Sequence, residues 1–239
     1  MRGAVGCLIL VVVAAIMTLI VRDYARTHPQ DVPWTALNLD DPIGQFTVRK
    51  LVRLRSDPAL CRALLARAHS GDVAVPARRS GEQCGYSDGM RLAASSRNAV
   101  TFSPDVVTSC PVAAALQVFE AQIVQPAALR HYGTRVRSID HAGSYSCRRL
   151  YGRSEGAYSE HATANAFDLM GFRLNDGRRI SVLRDWRTAD KDAAFLRDVR
   201  DGACRLFATV LSPDYNAAHA DHLHLDQAQR GAIGGSVCR

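Results

Sequence analysis

The chain has 239 residues, 47% of them hydrophobic and 22% charged, with a formal net charge of +7 at neutral pH. That length suits one sizeable core, or one domain with an appendage. The basic excess is dispersed, with no block of five or more like charges and no basic stretch interleaved with aromatics; this argues against nucleic acid as a partner and leaves an anionic polymer or a membrane surface.

Ala4 to Val21 is an unbroken apolar run, with Arg2 before it and Arg22 after. About eighteen apolar residues is near the minimum that spans a bilayer. A cleaved signal peptide is the competing reading. It would show a shorter apolar core and a small-x-small site, where the chain has Met17-Thr18-Leu19-Ile20-Val21-Arg22-Asp23. We therefore expect residues 1–22 to form an uncleaved signal anchor crossing the membrane once. Residues 23–45 carry Pro29, Pro33 and Pro42 without a sustained period and read as a linker. Trp34 and Leu37 are the side chains expected to tack it to the domain, residues 46–239.

Cys7 lies inside the apolar run and reads as a small apolar residue. The other six cysteines form no CxxC pair, so a structural zinc knuckle is not expected. An even, widely spaced set after an export signal reads as three disulfides in an oxidising compartment; buried free thiols in a cytosolic protein are the competing reading. The preferred pairing joins sequence neighbours: Cys61–Cys84, Cys110–Cys147 and Cys204–Cys238.

Asp57-Pro58 predicts a helix start, with Asp as N-cap and Pro in the first turn. Leu60, Leu64, Leu65 and Ala68 share one face, and Gly71 closes the segment. Arg91–Ala94 and Ala99–Phe102 read as short strands. From Pro111 to about Arg130, Leu116, Phe119, Ile123 and Ala127 recur at helical spacing, with Pro126 marking a kink or early stop. Val136–Ala142 and Ala166–Leu174 read as strands, Asn175-Asp176-Gly177 as a hairpin turn and Arg179–Leu183 as the return. A second helix is expected from Asp192 to about Leu211, and a last strand at Leu223–Leu225. Helices and antiparallel strands without regular alternation argue an α+β fold, an antiparallel sheet flanked by helices.

Two stretches concentrate chemistry: Ser159 to Asp168, and His219-Ala220-Asp221-His222-Leu223-His224. Catalytic zinc takes three protein ligands from His and carboxylates and keeps a fourth position for water. His161, in the approach to a strand, and Asp168, on it, can fold back to one point. His222 and His224 are two apart on a short strand and share a face. If that strand lies beside the Asp168 strand, His224 completes the set. One carboxylate and two neutral imidazoles leave such a Zn2+ centre a net positive charge and a Lewis acid. Asp221, three residues before His224, is the candidate general base. Each residue alone has a plainer reading as a packed histidine, a turn cap or an ion-pair partner; only the combination points to a metal. No Gly-x-Ser-x-Gly elbow, phosphate-cradling glycine loop or His-Glu-x-x-His helix is present.

The stretches resemble the zinc metallopeptidase superfamily of D-Ala-D-Ala carboxypeptidases, lysostaphin-type and murein endopeptidases and hedgehog domains. Its pattern is Ser-x-His-x-x-Gly-x-Ala-x-Asp, then His-x-His. Ser159, His161, Ala166 and Asp168 match the first part and His222-Leu223-His224 the second. More closely, the chain resembles the bacterial extensin-like C-terminal domain family over roughly residues 40–239. Ser144-Tyr145-Ser146-Cys147-Arg148, Ser159-Glu160-His161, Asn165-Ala166, Ala203-Cys204-Arg205, Tyr215-Asn216-Ala217-Ala218-His219 and the terminal Cys238-Arg239 carry the likeness.

The resemblance implies an α+β core and zinc held by His161, Asp168 and His224. Asp221 would be the base, and His219 and His222 would line the site and stabilise a developing oxyanion. Arg148 would bind the substrate carboxylate or polarise the scissile carbonyl. The superfamily glycine three residues after the first ligand is Ala164 here; alanine fits that place if φ is negative.

The activity so implied is peptide-bond hydrolysis in peptidoglycan by a domain in the periplasm, anchored in the inner membrane. Whether it acts as an endopeptidase or a carboxypeptidase stays open. Two other readings stand beside it: a non-catalytic envelope module that retains zinc while binding cell wall or a partner, and a structural envelope protein held by disulfides without metal.

Overall fold

The apolar run needs no tertiary contact to become helical. In the computed structural model, which describes residues 2–94, 99–231 and 235–239, helix α1 spans Arg2–Thr27. Gly3–Thr27 is long and apolar enough to cross a membrane and is not buried against the domain. The segment after it is fastened down. Gln45 N donates to Asp31 Oδ1 at 2.7 Å and Phe46 N to Gln30 O at 3.1 Å. The buried Lys50 donates from Nζ to Pro29 O at 2.6 Å and Thr35 Oγ1 at 2.7 Å. Leu37 packs on the core, whereas Trp34 is 72% exposed and tacks nothing down.

Helix α2 (Thr47–Arg53) leads to α3 (Pro58–Arg67), where Asp57 Oδ1 accepts from Leu60 N at 2.9 Å as an N-cap should. Leu64, Leu65 and Ala68 face inward, but Leu60 is 43% exposed because Cys61 takes the inward place in that turn. Short strands follow: β1 (Val73–Ala74), β2 (Arg78–Arg79), β3 (Gly85–Tyr86), β4 (Gly89–Arg91), β5 (Thr101–Ser103) and β6 (Val107–Ser109). The strand expected at Arg91–Ala94 thus lies earlier and ends at Arg91, since Ala93 N turns to Asp72 Oδ1 instead. The strand expected at Ala99–Phe102 starts at Thr101 and runs on to Ser103.

The central helix is α4 (Cys110–Phe119), a π-turn at Glu120–Val124, and α5 (Gln125–Tyr132). Pro126 has no N–H to continue the regular ladder, and the widened turn before it absorbs the mismatch, so the helix runs on. It too is long and apolar enough to cross a membrane, though less apolar than α1, and it is largely buried as the core of the domain. After the β7 (Val136–Gly143), β8 (Ala166–Leu174) and β9 (Arg179–Ser181) strands come α6 (Val182–Asp185) and α7 (Lys191–Ala203). Strand β9 stops at Ser181, whose N–H is taken by Asp185 Oδ2 at 2.7 Å. Helix α7 ends at Ala203, not near Leu211. Thr209–Leu211 is strand β10, whose backbone pairs with β11 (Leu223–Asp226) and β12 (Val237–Cys238).

Among the described residues the main sheet runs β12-β10-β11-β8-β7-β5, with β9 on the far half of β8. Pairing is antiparallel except β5–β7 and β10–β12. Phe172 on β8 meets Phe195 on α7 edge to face at 5.1 Å, and Phe119 on α4 meets Phe207 at 5.9 Å, which seats the helices on the sheet. The α+β class is as expected.

The disulfides correct two of three expected pairs. Cys204–Cys238 forms as expected, but Cys61 pairs with Cys110 and Cys84 with Cys147. The reason is packing. Helices α3 and α4 lie side by side and bring Cys61 to Cys110. The other bond ties the β2–β3 hairpin to the segment that carries Arg148.

Candidate metal centre

Strand register builds the site. Asp168 on β8 and His224 on β11 are direct cross-strand partners, so both side chains leave the same face of the sheet. His161 comes from the 3-10 turn Glu160–Thr163, whose N-cap Ser159 accepts from His161 N at 3.3 Å. Ala164 then reverses the chain into β8 with φ 54° and ψ 22°. The negative φ under which alanine would fit is therefore not found. One residue must connect a tight turn to a strand, and only the left-handed region does so here. Ser109 N and Ser144 Oγ hold the Ala164 carbonyl at 2.7 and 3.0 Å. Asn165 braces the turn, donating to Glu160 Oε2 at 2.6 Å and accepting from Ser109 Oγ at 2.9 Å.

Three buried ligand atoms converge. His161 Nε2 lies 3.1 Å from Asp168 Oδ1 and 3.2 Å from His224 Nδ1, and the last two are 3.0 Å apart. Tetrahedral zinc at its usual bond lengths sets ligand atoms about 3.3 Å apart. The far ring nitrogens decide what these atoms carry. His161 Nδ1 donates to the Ser144 carbonyl at 2.7 Å, and His224 Nε2 faces Asp226 Oδ2 at 3.2 Å. With an N–H committed outward on each ring, a neutral imidazole would turn its other nitrogen's lone pair inward, toward the Asp168 carboxylate oxygen. Three such acceptors in contact could hold a metal ion between them, and the chemistry of this donor set fits zinc.

The electrostatics agree. Burial alone would raise the Asp168 carboxyl, yet hydrogen bonds from His161 and His224 hold it well below the usual range. Burial alone would lower His224, yet Asp168 and Asp226 push it up to about 9. Without metal, a proton takes the cation's place. Asp226, 4% exposed, is absent from the sequence expectations, as is the Ser144 carbonyl. The i, i+2 spacing of His224 and Asp226 on one strand was the available signal for Asp226; a backbone carbonyl leaves none.

The remaining expected residues lie around this triangle. His222 joins it, with Nε2 3.5 Å from Asp168 Oδ1 and Nδ1 2.8 Å from Asp221 Oδ1. The Asp221 side chain is 48% exposed and stands behind His222. His219 is buried, with its ring centroid 5.2 Å from that of His222, and its Nδ1 meets Asn216 Oδ1 at 2.7 Å. Burial, then the neighbouring His222 and His224, push His219 down to about 4, so it is neutral at pH 7. Arg148 lines the same cleft, a cavity of 420 Å³ shared with His161, His219, His222 and His224.

No curated protein and no solved structure matches the chain. A family model described as the extensin-like protein C-terminus matches residues 59–239, which takes in the sheet, the three disulfides and every residue of the site. The chain therefore belongs to the extensin-like protein C-terminus family.

Proposed function

We propose that the chain is a membrane-anchored zinc peptidase of the bacterial envelope that hydrolyses peptide bonds in peptidoglycan stem peptides or cross-links. The carrying observation is the convergence of His161 Nε2, Asp168 Oδ1 and His224 Nδ1, with each histidine met by a partner at its other nitrogen. The match of Ser159, His161, Ala166, Asp168 and His222-Leu223-His224 to the D-Ala-D-Ala metallopeptidase pattern supports the reaction class. The disulfides and the apolar helix support an oxidising compartment outside the inner membrane.

Zinc held by these three residues supplies Lewis acidity toward a carbonyl and acidifies water. The rest of the chemistry belongs to the chain. The Asp221–His222 pair is the proton acceptor: His222 presents Nε2 to the site, and Asp221 holds Nδ1–H and balances the imidazolium. Asp221, expected as the base itself, acts from behind the imidazole in this arrangement. Neutral His219 donates from Nδ1 to Asn216, so its Nε2 accepts from a substrate N–H. Arg148 is then the cation for a substrate carboxylate or the scissile carbonyl oxygen.

The test is incubation of the full-length, zinc-loaded protein in detergent with purified peptidoglycan, reading soluble products by mass. Peptide-bond cleavage that a chelator stops and zinc restores is expected. No cleavage, or cleavage indifferent to the chelator, would contradict the reading.

A further inference from the structure

The β2–β3 hairpin has no sheet behind it. Among the described residues its two strands pair with each other and with no third strand, and both residues of β2 are exposed. A two-stranded hairpin alone is marginally stable at best. Two contacts fasten this one to the segment Tyr145–Arg148. The Arg78 guanidinium lies 4.4 Å over the centroid of the Tyr145 ring, and the Tyr86 ring meets the same ring edge to face at 5.8 Å. Two residues further on, Cys147 is bonded to Cys84.

The residues just before this segment have a different anchor. Gly143, at the end of β7, pairs with Asp168, and Ser144 Oγ donates to the Ala164 carbonyl at 3.0 Å. The Ser144 carbonyl in turn accepts from His161 Nδ1 at 2.7 Å. The sheet therefore holds residues 143 and 144, beside the metal ligands, whereas the hairpin holds 145 and 147, beside Arg148. Arg148 is itself exposed and lines the metal cleft. The hairpin also backs the wall on which Arg148 stands. Glu82 and Gln83 at its tip share a cavity of 360 Å³ with Arg149 and Tyr158, and those two residues line the metal cleft as well.

We propose that the β2–β3 hairpin is a positioning element for substrate recognition: through Tyr145 and the Cys84–Cys147 bond it sets the place of Arg148 in the cleft, separately from the metal ligands. The inference rests on the peptidase reading, with Arg148 as the cation that meets the substrate. Among the described residues, no part of the hairpin lines the metal cleft, so Arg78, Cys84 and Tyr86 act through Arg148 and do not touch substrate.

The test uses the full-length zinc-loaded protein in detergent and a synthetic peptide that ends in a D-Ala–D-Ala bond and a free carboxylate. Cys84→Ser with Cys147→Ser removes the bond, and Tyr145→Ala removes the ring that the hairpin grips. Tyr145→Phe keeps the ring, and it strands no partner, because the buried Tyr145 hydroxyl has no hydrogen bond. The double-serine and Tyr145→Ala proteins should keep their zinc and lose about 10- to 100-fold in kcat/KM, the scale of one charge-assisted hydrogen bond. Tyr145→Phe should match wild type. In an Arg148→Gln background neither change should cost anything further, because the group they place is gone. Should the double-serine protein fail to fold, Tyr145→Ala carries the same comparison. Losses that add to that of Arg148→Gln, wild-type kcat/KM in Tyr145→Ala, or zinc lost in step with activity would overturn the proposal. If wild type cuts no peptide, the peptidase reading fails instead, and hydrogen exchange still decides the clamp. In Tyr145→Ala, residues 145–149 should lose protection while Ala166–Leu174 keep theirs; unchanged protection over 145–149 would refute it.

Discussion

Asp226 holds His224 from behind: its Oδ2 lies 3.2 Å from Nε2, on the ring edge away from Asp168. A carboxylate there would fix the tautomer and raise the basicity of the nitrogen that a bound metal would face. Asp226→Asn keeps the shape and removes the charge. It should weaken zinc binding by about 10- to 100-fold in a chelator competition. Unchanged affinity would show that Asp226 only fills space.

The same residue sets a pH dependence. Burial opposes a charge on His224, but Asp168 and Asp226 outweigh it and hold the proton up to about 9. The folded value is above the ordinary 6.5. The stability this group gives the metal-free protein is therefore complete below about pH 6.5 and is lost as pH rises through about 9. Zinc must displace that proton, so zinc affinity should climb by about tenfold per pH unit between pH 7 and 9. A flat profile by competition titration would mean that His224 is already neutral.

The proton acceptor is tested by two substitutions. His222→Ala should lower kcat by at least about 100-fold while zinc content stays at the wild-type level. Asp221→Asn should also slow turnover, since it removes the partner of the His222 Nδ1–H. Wild-type kcat in His222→Ala would place the acceptor elsewhere, with Asp221 itself the next choice.

Ala164 carries a conformational cost, with φ 54° at a fully buried position. The left-handed region costs a non-glycine residue about 1–2 kcal/mol. Ala164→Gly relieves this and loses only a methyl contact, so it should raise the melting temperature by about 2–4 °C. A lower melting temperature would show that the methyl's packing outweighs its strain. The ligand distances should not change, because Ser109 and Ser144 hold the backbone carbonyl and not the side chain.

Helix α7 offers a packing test. A Cβ built on Gly202 would lie 2.3 Å from Ile123 Cγ2 in the π-turn. Gly202→Ala would gain helix propensity but force the helices apart, and overpacking of this kind costs about 1–3 kcal/mol. We expect a net loss in denaturant unfolding. A gain would mean that the Ile123 side chain yields freely.

The parts of this fold that could be read in advance are those with a local cause. Ala166–Leu174 is mostly apolar, interrupted only by Asp168 and Arg173, and becomes β8 over that same span. Asp57-Pro58 carries its capping chemistry within four residues. His161, Asp168 and His224, which the structure brings together, stood out because they differ in type from the apolar residues around them. What failed depends on distant partners. Phe207 and Val210 fit a helix period, but β11 and β12 recruit the backbone there into the sheet. Cys61 finds Cys110 only because two helices pack side by side. The left-handed Ala164 follows from a turn that must meet a strand within one residue, which spacing does not reveal.

The central claim is that His161, Asp168 and His224 form a zinc centre, and metal analysis tests it most directly. Full-length protein purified without added chelator should carry about one zinc per chain, the stoichiometry of a single three-ligand site. His224→Ala should retain its fold by circular dichroism and lose that metal. Wild-type protein free of bound zinc after zinc loading, or undiminished zinc in His224→Ala, would contradict the account.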